Sequence, residues 1–358
     1  MKIFIAIDSF KGCMTSAEAN AAAALGITSV HPEAEVHCFT VSDGGEGFLD
    51  AMCPDEVVHC HVHDAMMRWR DAAFGIKEGR AVIETARAVG LSMIEPEFRN
   101  PLRASSYGVG ELMVQALRRG CRDFIVGLGG SATSDCGLGM LKALKHEWQT
   151  EKRKAWHDLF DTAWLKGLKV TLATDVTNPL CGPKGAARVF APQKGADEAM
   201  IDELERRAVT FSKAAAKHQG RDCSNLAGAG AAGGLGYAFM EFMDATVKSG
   251  ADVVLRSSGF VSQLGLPYKP SLIITGEGSA DGQTLMGKLP SVILNHGLAS
   301  GVPVILLAGR VGDEKSLLDA GFKRVVNINE GLPMVNALGK EVALNRLTDS
   351  VNVVVSSI

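Results

Sequence analysis

Short apolar runs recur along the chain, and each ends in a polar loop punctuated by glycine. Ile3-Phe4-Ile5-Ala6-Ile7 leads into Asp8-Ser9-Phe10-Lys11-Gly12, and Val36 to Val41 into Ser42-Asp43-Gly44-Gly45-Glu46-Gly47. Phe124 to Leu128 leads into Gly129-Gly130-Ser131-Ala132-Thr133-Ser134-Asp135, Val170 to Ala173 into the loop Thr174 to Gly182, and Leu272 to Ile274 into the loop Thr275 to Thr284. Runs this short, rich in branched residues and bounded by glycine, read as strands. Thr15-Ser16-Ala17-Glu18 is a capping box that opens an alanine-rich helix stopping before Pro32. From 270 onward the same grammar returns, with strands expected at 272–275, 303–308 and 324–328. Alternation of strand and helix at both ends predicts an α/β protein with a parallel, doubly wound sheet. The longer block between them has its own strands and reads as an inserted second domain.

Loops at the carboxyl ends of strands are where open α/β sheets bind ligands. Glycine lets backbone N–H groups approach a phosphate, while carboxylates and hydroxyls at the same edge can hold Mg²⁺ or accept a proton. Any one of Asp8, Asp43, Asp175 and Asp281 can be explained as the cap of a following helix. Four acidic groups at strand ends together argue for a site, because a strand end gains nothing from burying charge. Lys11, Lys184, Arg188, Lys194 and Lys288 lie in or beside loops rich in glycine and proline, and each also has the bland reading of a solvated surface charge. The pattern suits phosphoryl transfer, which needs charge neutralisation, a metal bridging donor oxygens and a group that takes the nucleophile's proton. There is no GxxxxGK[ST] and no protein-kinase signature, so those two classes are excluded.

Composition narrows the class further. The chain has 358 residues, 46% of them hydrophobic, and a net charge of -3, so it can bury a large core and carries no global basic field for nucleic acid. No stretch approaches a membrane-spanning length of about 18 apolar residues, and the eight cysteines include no CxxC pair, so a cytoplasmic protein with reduced thiols is expected. His59, Cys60, His61 and His63 invite a metal reading, but on a strand the three histidines face one side and the cysteine the other. A half-exposed strand face is the better reading. Cys136 and Cys181 read as small fillers. The run Gly228 to Gly236 lacks the preceding strand of a dinucleotide fingerprint and reads as a tight helix entry. Residues 146–167, charged and rich in tryptophan, read as a surface excursion.

Taken together the loops resemble the bacterial type I glycerate kinase family. The residues that carry the resemblance are Asp8 to Gly12, Asp43 to Gly47, Arg99-Asn100-Pro101-Leu102-Arg103 with Ser106-Tyr107-Gly108, Gly127 to Thr133, Thr174 to Gly182, Phe190 with Pro192 to Gly195, Gly228 to Gly236, and Thr275 to Gly278 with Asp281 to Lys288. The resemblance implies ATP- and Mg²⁺-dependent phosphorylation of D-glycerate to 2-phosphoglycerate. It also implies a flavodoxin-like domain built from residues 1–60 and 270–358, an inserted domain over 61–269 resembling a restriction-endonuclease-like fold, and an active-site cleft between them. On that reading Asp175 accepts the substrate hydroxyl proton, with Asp8 the rival, and Lys11 and Lys288 bind phosphate or carboxylate. Asp43, Asp281, Lys288 and Arg103 contact substrate, Gly129, Gly130, Ser131, Thr133 and Lys194 hold donor phosphates, and Asp281 and Glu277 are candidates for Mg²⁺. Ser279 and Ala280 depart from the arginine and larger aliphatic residue usual in the family, and Arg87 stands where a small residue is usual. Arg87 is therefore a candidate replacement charge, and a related small hydroxy acid is the alternative substrate.

Overall fold

The apolar run Lys2–Ile7 is a strand in which Ile3 to Ile7 are fully buried, which demands cover on both faces and a neighbour on each edge. The structure, a computed structural model, describes residues 1–152, 160, 162–330 and 339–356. Among them eleven strands follow in chain order: β1 (Lys2–Ile7), β2 (Glu35–Cys38), β3 (Glu56–His63), β4 (Trp69–Lys77), β5 (Arg80–Glu84), β6 (Asp123–Gly127), β7 (Lys169–Ala173), β8 (Thr246–Lys248), β9 (Leu272–Glu277), β10 (Val304–Ala308) and β11 (Arg324–Asn327). The fold is α/β, with two sheets in two compact units. Met1–Asp43, Asp50–Met52 and Ala251–Ile358 form the first unit, and Gly44–Leu49 and Cys53–Gly250 the second. No helix among the described residues is long and apolar enough to cross a membrane.

The first unit holds a five-stranded, wholly parallel sheet in the order β11-β10-β9-β1-β2. Counted along this unit alone the order is 2-1-3-4-5, that of the flavodoxin-like doubly wound sheets. The capping box opens the helix Ser16–Val30 as expected: the Thr15 hydroxyl accepts from the Glu18 amide while the Glu18 carboxylate accepts from the Thr15 amide. That helix clamps the carboxyl ends of two strands. Asn20, buried, accepts from the Ile7 amide at 3.0 Å and donates to the Phe39 carbonyl at 2.8 Å. Ser16 donates to the Ile7 carbonyl at 2.6 Å and accepts from the Val41 amide at 2.9 Å. The helix packs against the C-terminal helix Lys340–Val355, where the absent side chain of Gly26 lets the Thr348 carbonyl come close.

The second unit holds a six-stranded mixed sheet, β3-β4-β5-β6-β7-β8, antiparallel through β5 and parallel beyond it. Its core is the larger, with Phe74, Phe124, Tyr237, Phe239 and Phe242 all buried. The boundaries expected at 60 and 270 both shift. Residue 60 falls inside β3, all eight residues of which pair with β4. Phe260, fully buried, packs tilted against Phe4 at 5.8 Å and edge-to-face on Phe39 at 5.2 Å, so the chain rejoins the first unit well before residue 270.

The histidine strand is the half-exposed face expected, with His63 held by Glu111 at 2.9 Å and tilted against Trp69. Of residues 146–167, the helix Leu138–Lys152 takes the first part and 153–159 and 161 lie outside the described residues. The last part is no surface excursion: Thr162 and Leu165 are buried and Trp164 packs on the core, because Gln219 ties this stretch to the helix Glu198–Gln219.

Replacing Asn20 with alanine leaves the Ile7 amide and Phe39 carbonyl buried without a partner. The expected loss is roughly 2–6 kcal/mol, since each of the two groups costs about 1–3 kcal/mol. Urea unfolding should show a lower midpoint at unchanged slope.

Candidate active site

In the first unit the loops after β1, β2, β9 and β10 surround a cavity of about 740 Å³ lined by Asp8, Lys11, Asp43, Glu277, Ser279, Lys288 and Arg310 among others. It lies at the carboxyl ends of β1 and β9, the point where the strand order reverses and open α/β sheets bind ligands. Parallel pairing places Ile7 opposite Gly276, so Asp8 and Glu277 emerge side by side. The Asp8 amide donates to the Gly276 carbonyl at 2.9 Å, and its carboxylate accepts from the Ser9 amide at 2.7 Å.

Electrostatics in this cavity are crowded. Burial first, then the charge of Asp43 and a smaller contribution from Glu277, push Asp8 up to about 7, against the Ser9 hydrogen bond and Lys11. Burial also raises Glu277, opposed by the Thr284 hydroxyl that donates to it at 2.6 Å and by Lys288 at 3.6 Å. Lys11 stands 3.8 Å from Asp43 with both side chains well exposed, an ion pair worth little in water, so Lys11 is available to an incoming anion. A carboxylate that titrates near neutrality can accept a hydroxyl proton, and two flexible ammonium groups can meet a carboxylate or phosphoryl group.

Asp281 is placed differently. It does not line the cavity: its carboxylate accepts from the Gln283 amide at 2.8 Å and its own amide donates to the Thr284 hydroxyl, so it shapes the turn that carries Thr284 to Glu277. Sequence reasoning missed Arg310 and Asn329, which do line the cavity. The signal was present, because Gly309-Arg310 follows the buried run Val304–Ala308 just as the other site loops follow theirs.

The second unit carries the remaining candidates. Asp175 follows β7, half-buried, and accepts from the Gly250 amide at 3.2 Å. Gly129 donates to the Gly44 carbonyl at 2.9 Å, and a Cβ there would lie 2.4 Å from the Gly45 Cα. Ser131 and Thr133 are buried rather than open, and Thr133 donates from its hydroxyl toward the Ala232 carbonyl at 3.4 Å. Gly130 alone in this stretch is exposed, with φ 74°. Lys194 is buried beneath the loop, donating to the Thr133 carbonyl at 2.7 Å and lying 3.5 Å from the Ser131 hydroxyl; burial lowers its pKa to about 8. Arg103 is an exposed turn residue.

The glycine run also has a structural account. Ala232, Gly233 and Gly234 are all left-handed, and a Cβ on Gly233 would meet the Thr133 carbonyl at 1.9 Å, so the run packs tightly under the Gly129–Thr133 loop. Arg87 pairs with buried Glu84 at 3.4 Å, and Glu84 also accepts from the Leu49 amide at 3.0 Å. Burial pushes the Cys181 thiol up to about 11 and raises Cys136 further, which suits fillers rather than nucleophiles.

The raised Asp8 gives a signed pH dependence. Its folded-state pKa of about 7 exceeds the ordinary 3.8, so its contribution to stability is fully present below 3.8 and is lost as pH rises through 7. Asp8→Asn removes this loss. The Tm of the variant relative to wild type should therefore climb between about pH 4 and 7 and level off above, as read by thermal melts across that range.

The profile of the glycerate kinase family matches residues 3–357. A glycerate kinase of Halalkalibacterium halodurans is 36% identical over 96% of this chain and 96% of its own length. A glycerate 2-kinase of Escherichia coli K12 is 36% identical over 92% of this chain and 91% of its own. A crystal structure assigned to glycerate kinase 2 of Salmonella typhimurium LT2 superposes with a TM-score of 0.77 at 30% identity, covering 100% of this chain and 98% of that one. With its strand-end loops, its flavodoxin-like order and these relatives in agreement, the chain belongs to the glycerate kinase family, and is a phosphotransferase.

Proposed function

We propose that the protein transfers the γ-phosphoryl group of ATP to the 2-hydroxyl of D-glycerate, giving 2-phosphoglycerate and ADP. The observation that carries this reading is the first-unit cavity, where Asp8, held near neutrality, stands among Lys11, Lys288 and Glu277 at the sheet's switch point. The Escherichia coli relative, described as a glycerate 2-kinase, supports the 2-position. A cytoplasmic location fits the eight cysteines, all present as thiols.

Roles follow from placement. Asp175 is the proposed acceptor of the hydroxyl proton, and Asp8 has the pKa that a general base at neutral pH requires. Once the proton leaves, the hydroxyl oxygen attacks the γ-phosphorus and ADP departs. Lys11 and Lys288 neutralise the substrate's carboxylate or the moving phosphoryl group, and Asp43 and Arg103 are offered as substrate contacts. Gly129, Gly130, Ser131, Thr133 and Lys194 are assigned to the donor phosphates, with exposed Gly130 the member most open to one. Glu277 is the better placed candidate for Mg²⁺, because Asp281 caps its own turn. No three His, Cys, Asp or Glu side chains converge as a metal cage among the described residues. That fits Mg²⁺, which one or two carboxylates hold together with waters and substrate phosphates, and which supplies charge neutralisation there.

The first test is ADP release from Mg-ATP with D-glycerate, L-glycerate, tartronate and erythronate offered separately and enolase added to detect 2-phosphoglycerate. Turnover of D-glycerate that feeds enolase without a mutase is expected. Activity on another acid alone would move the substrate assignment, and binding of ATP and glycerate without turnover would make the protein a binding module. Asp175→Asn is expected to lower kcat roughly 10²–10⁴-fold with little change in KM. Near-normal turnover in that variant would transfer the role to Asp8, which Asp8→Asn then checks.

A further inference from the structure

We propose that Arg310 binds the carboxylate of the hydroxy-acid substrate, an assignment that rests on the kinase reading above. β9 and β10 stay zipped together beyond their ends. The Arg310 amide donates to the Gly278 carbonyl at 3.1 Å, the Ala280 amide donates to the Arg310 carbonyl at 2.8 Å, and the Gly312 amide donates to the Ala280 carbonyl at 2.8 Å. Asn329 braces the other side, donating to the Gly309 carbonyl at 2.8 Å while Arg346 donates to its side-chain oxygen at 3.0 Å. The backbone of Arg310 is thus fixed at the cavity wall, beside the loop that carries Ser279.

The cavity's cations differ in what already engages them. Lys11 faces Asp43 and Lys288 faces Glu277, whereas the Arg310 guanidinium makes no ion pair or side-chain hydrogen bond among the described residues. An uncommitted cation lining the same cavity as a proton-accepting carboxylate suits a ligand that is anionic at one end and hydroxylated at the other. A guanidinium matches a carboxylate through two parallel hydrogen bonds, a geometry that an ammonium cannot reproduce. Arg87, by contrast, is engaged by Glu84. The cation beside position 279 in this cavity is Arg310.

The test compares wild type, Arg310→Gln and Arg310→Lys by calorimetric titration with D-glycerate and with uncharged glycerol, and by steady-state kinetics varying D-glycerate and ATP in turn. The exposed side chain makes no bond among the described residues, so all three proteins should melt together. Arg310→Gln is expected to weaken D-glycerate binding and raise its KM roughly 10- to 100-fold, the scale of a lost charge-assisted hydrogen bond. Arg310→Lys should fall between, with KM for ATP and any affinity for glycerol unchanged. Unaltered D-glycerate affinity in Arg310→Gln overturns the proposal, and so does a rise confined to KM for ATP, which would place Arg310 on the donor phosphates. If wild type uses only another hydroxy acid, the glycerate reading fails, and the same comparison with that acid decides the role of Arg310 by the same criterion. A wild type that binds no hydroxy acid overturns both.

Discussion

Parallel pairing of β1 with β9 is the contact on which the first unit's chemistry depends. The register sets Ile3 against Leu272 and Ile7 against Gly276, and the strands end together. From that single alignment follow the adjacency of Asp8 and Glu277, the mutual repulsion that helps to raise Asp8, and the opening of a cavity at the switch point. Ser16 and Asn20 then fix where the strand ends stop, because their buried side chains take up the last backbone groups of β1 and of the stretch after β2. A register slip of one residue would swap every side chain of β1 between two packed faces and take Asp8 away from Glu277, so the buried residues of β1 help to hold the site's alignment.

Glycine plays two parts in this molecule, and sequence alone does not separate them. Gly129 and Gly233 serve close approach of one backbone to another: Gly129 lies on Gly45, and Gly233 on the carbonyl of Thr133. The same residues in the same loops would also serve a phosphate. What distinguishes the cases is which N–H groups protein carbonyls already take up, a tertiary fact. The burial of Lys194 is of the same kind, since nothing in Pro192-Gln193-Lys194-Gly195 announces that its ammonium lies under a loop sixty residues earlier in the chain.

Elements whose signals are local were legible. The capping box, the strand-end loops and the alternation at both chain ends depend on neighbours a few residues apart, and the structure places most of them within a residue or two of expectation, although β2, expected to run to Val41, ends at Cys38. The unit boundaries were not, because β3 is claimed by its antiparallel partner β4 and Phe260 by the aromatic cluster around Phe4. The candidate site was legible as a set of loops but not as a set of contacts: Asp281 and Glu277 are four residues apart, yet one shapes a turn and the other lines the cavity. Arg310 carried the same pattern as its neighbours, an apolar run followed by glycine and a charged loop.

The division of the first unit between the two ends of the chain bears on how the protein is made. The second unit lies almost wholly in one uninterrupted stretch, whereas β1 and β2 need β9, β10 and β11 to complete their sheet. At a ribosomal rate of about 5–20 residues per second, the N-terminal strands wait on the order of tens of seconds for their partners. During that wait the run from Ile3 to Ile7 has an open edge where β9 belongs, an edge through which the nascent chain can aggregate.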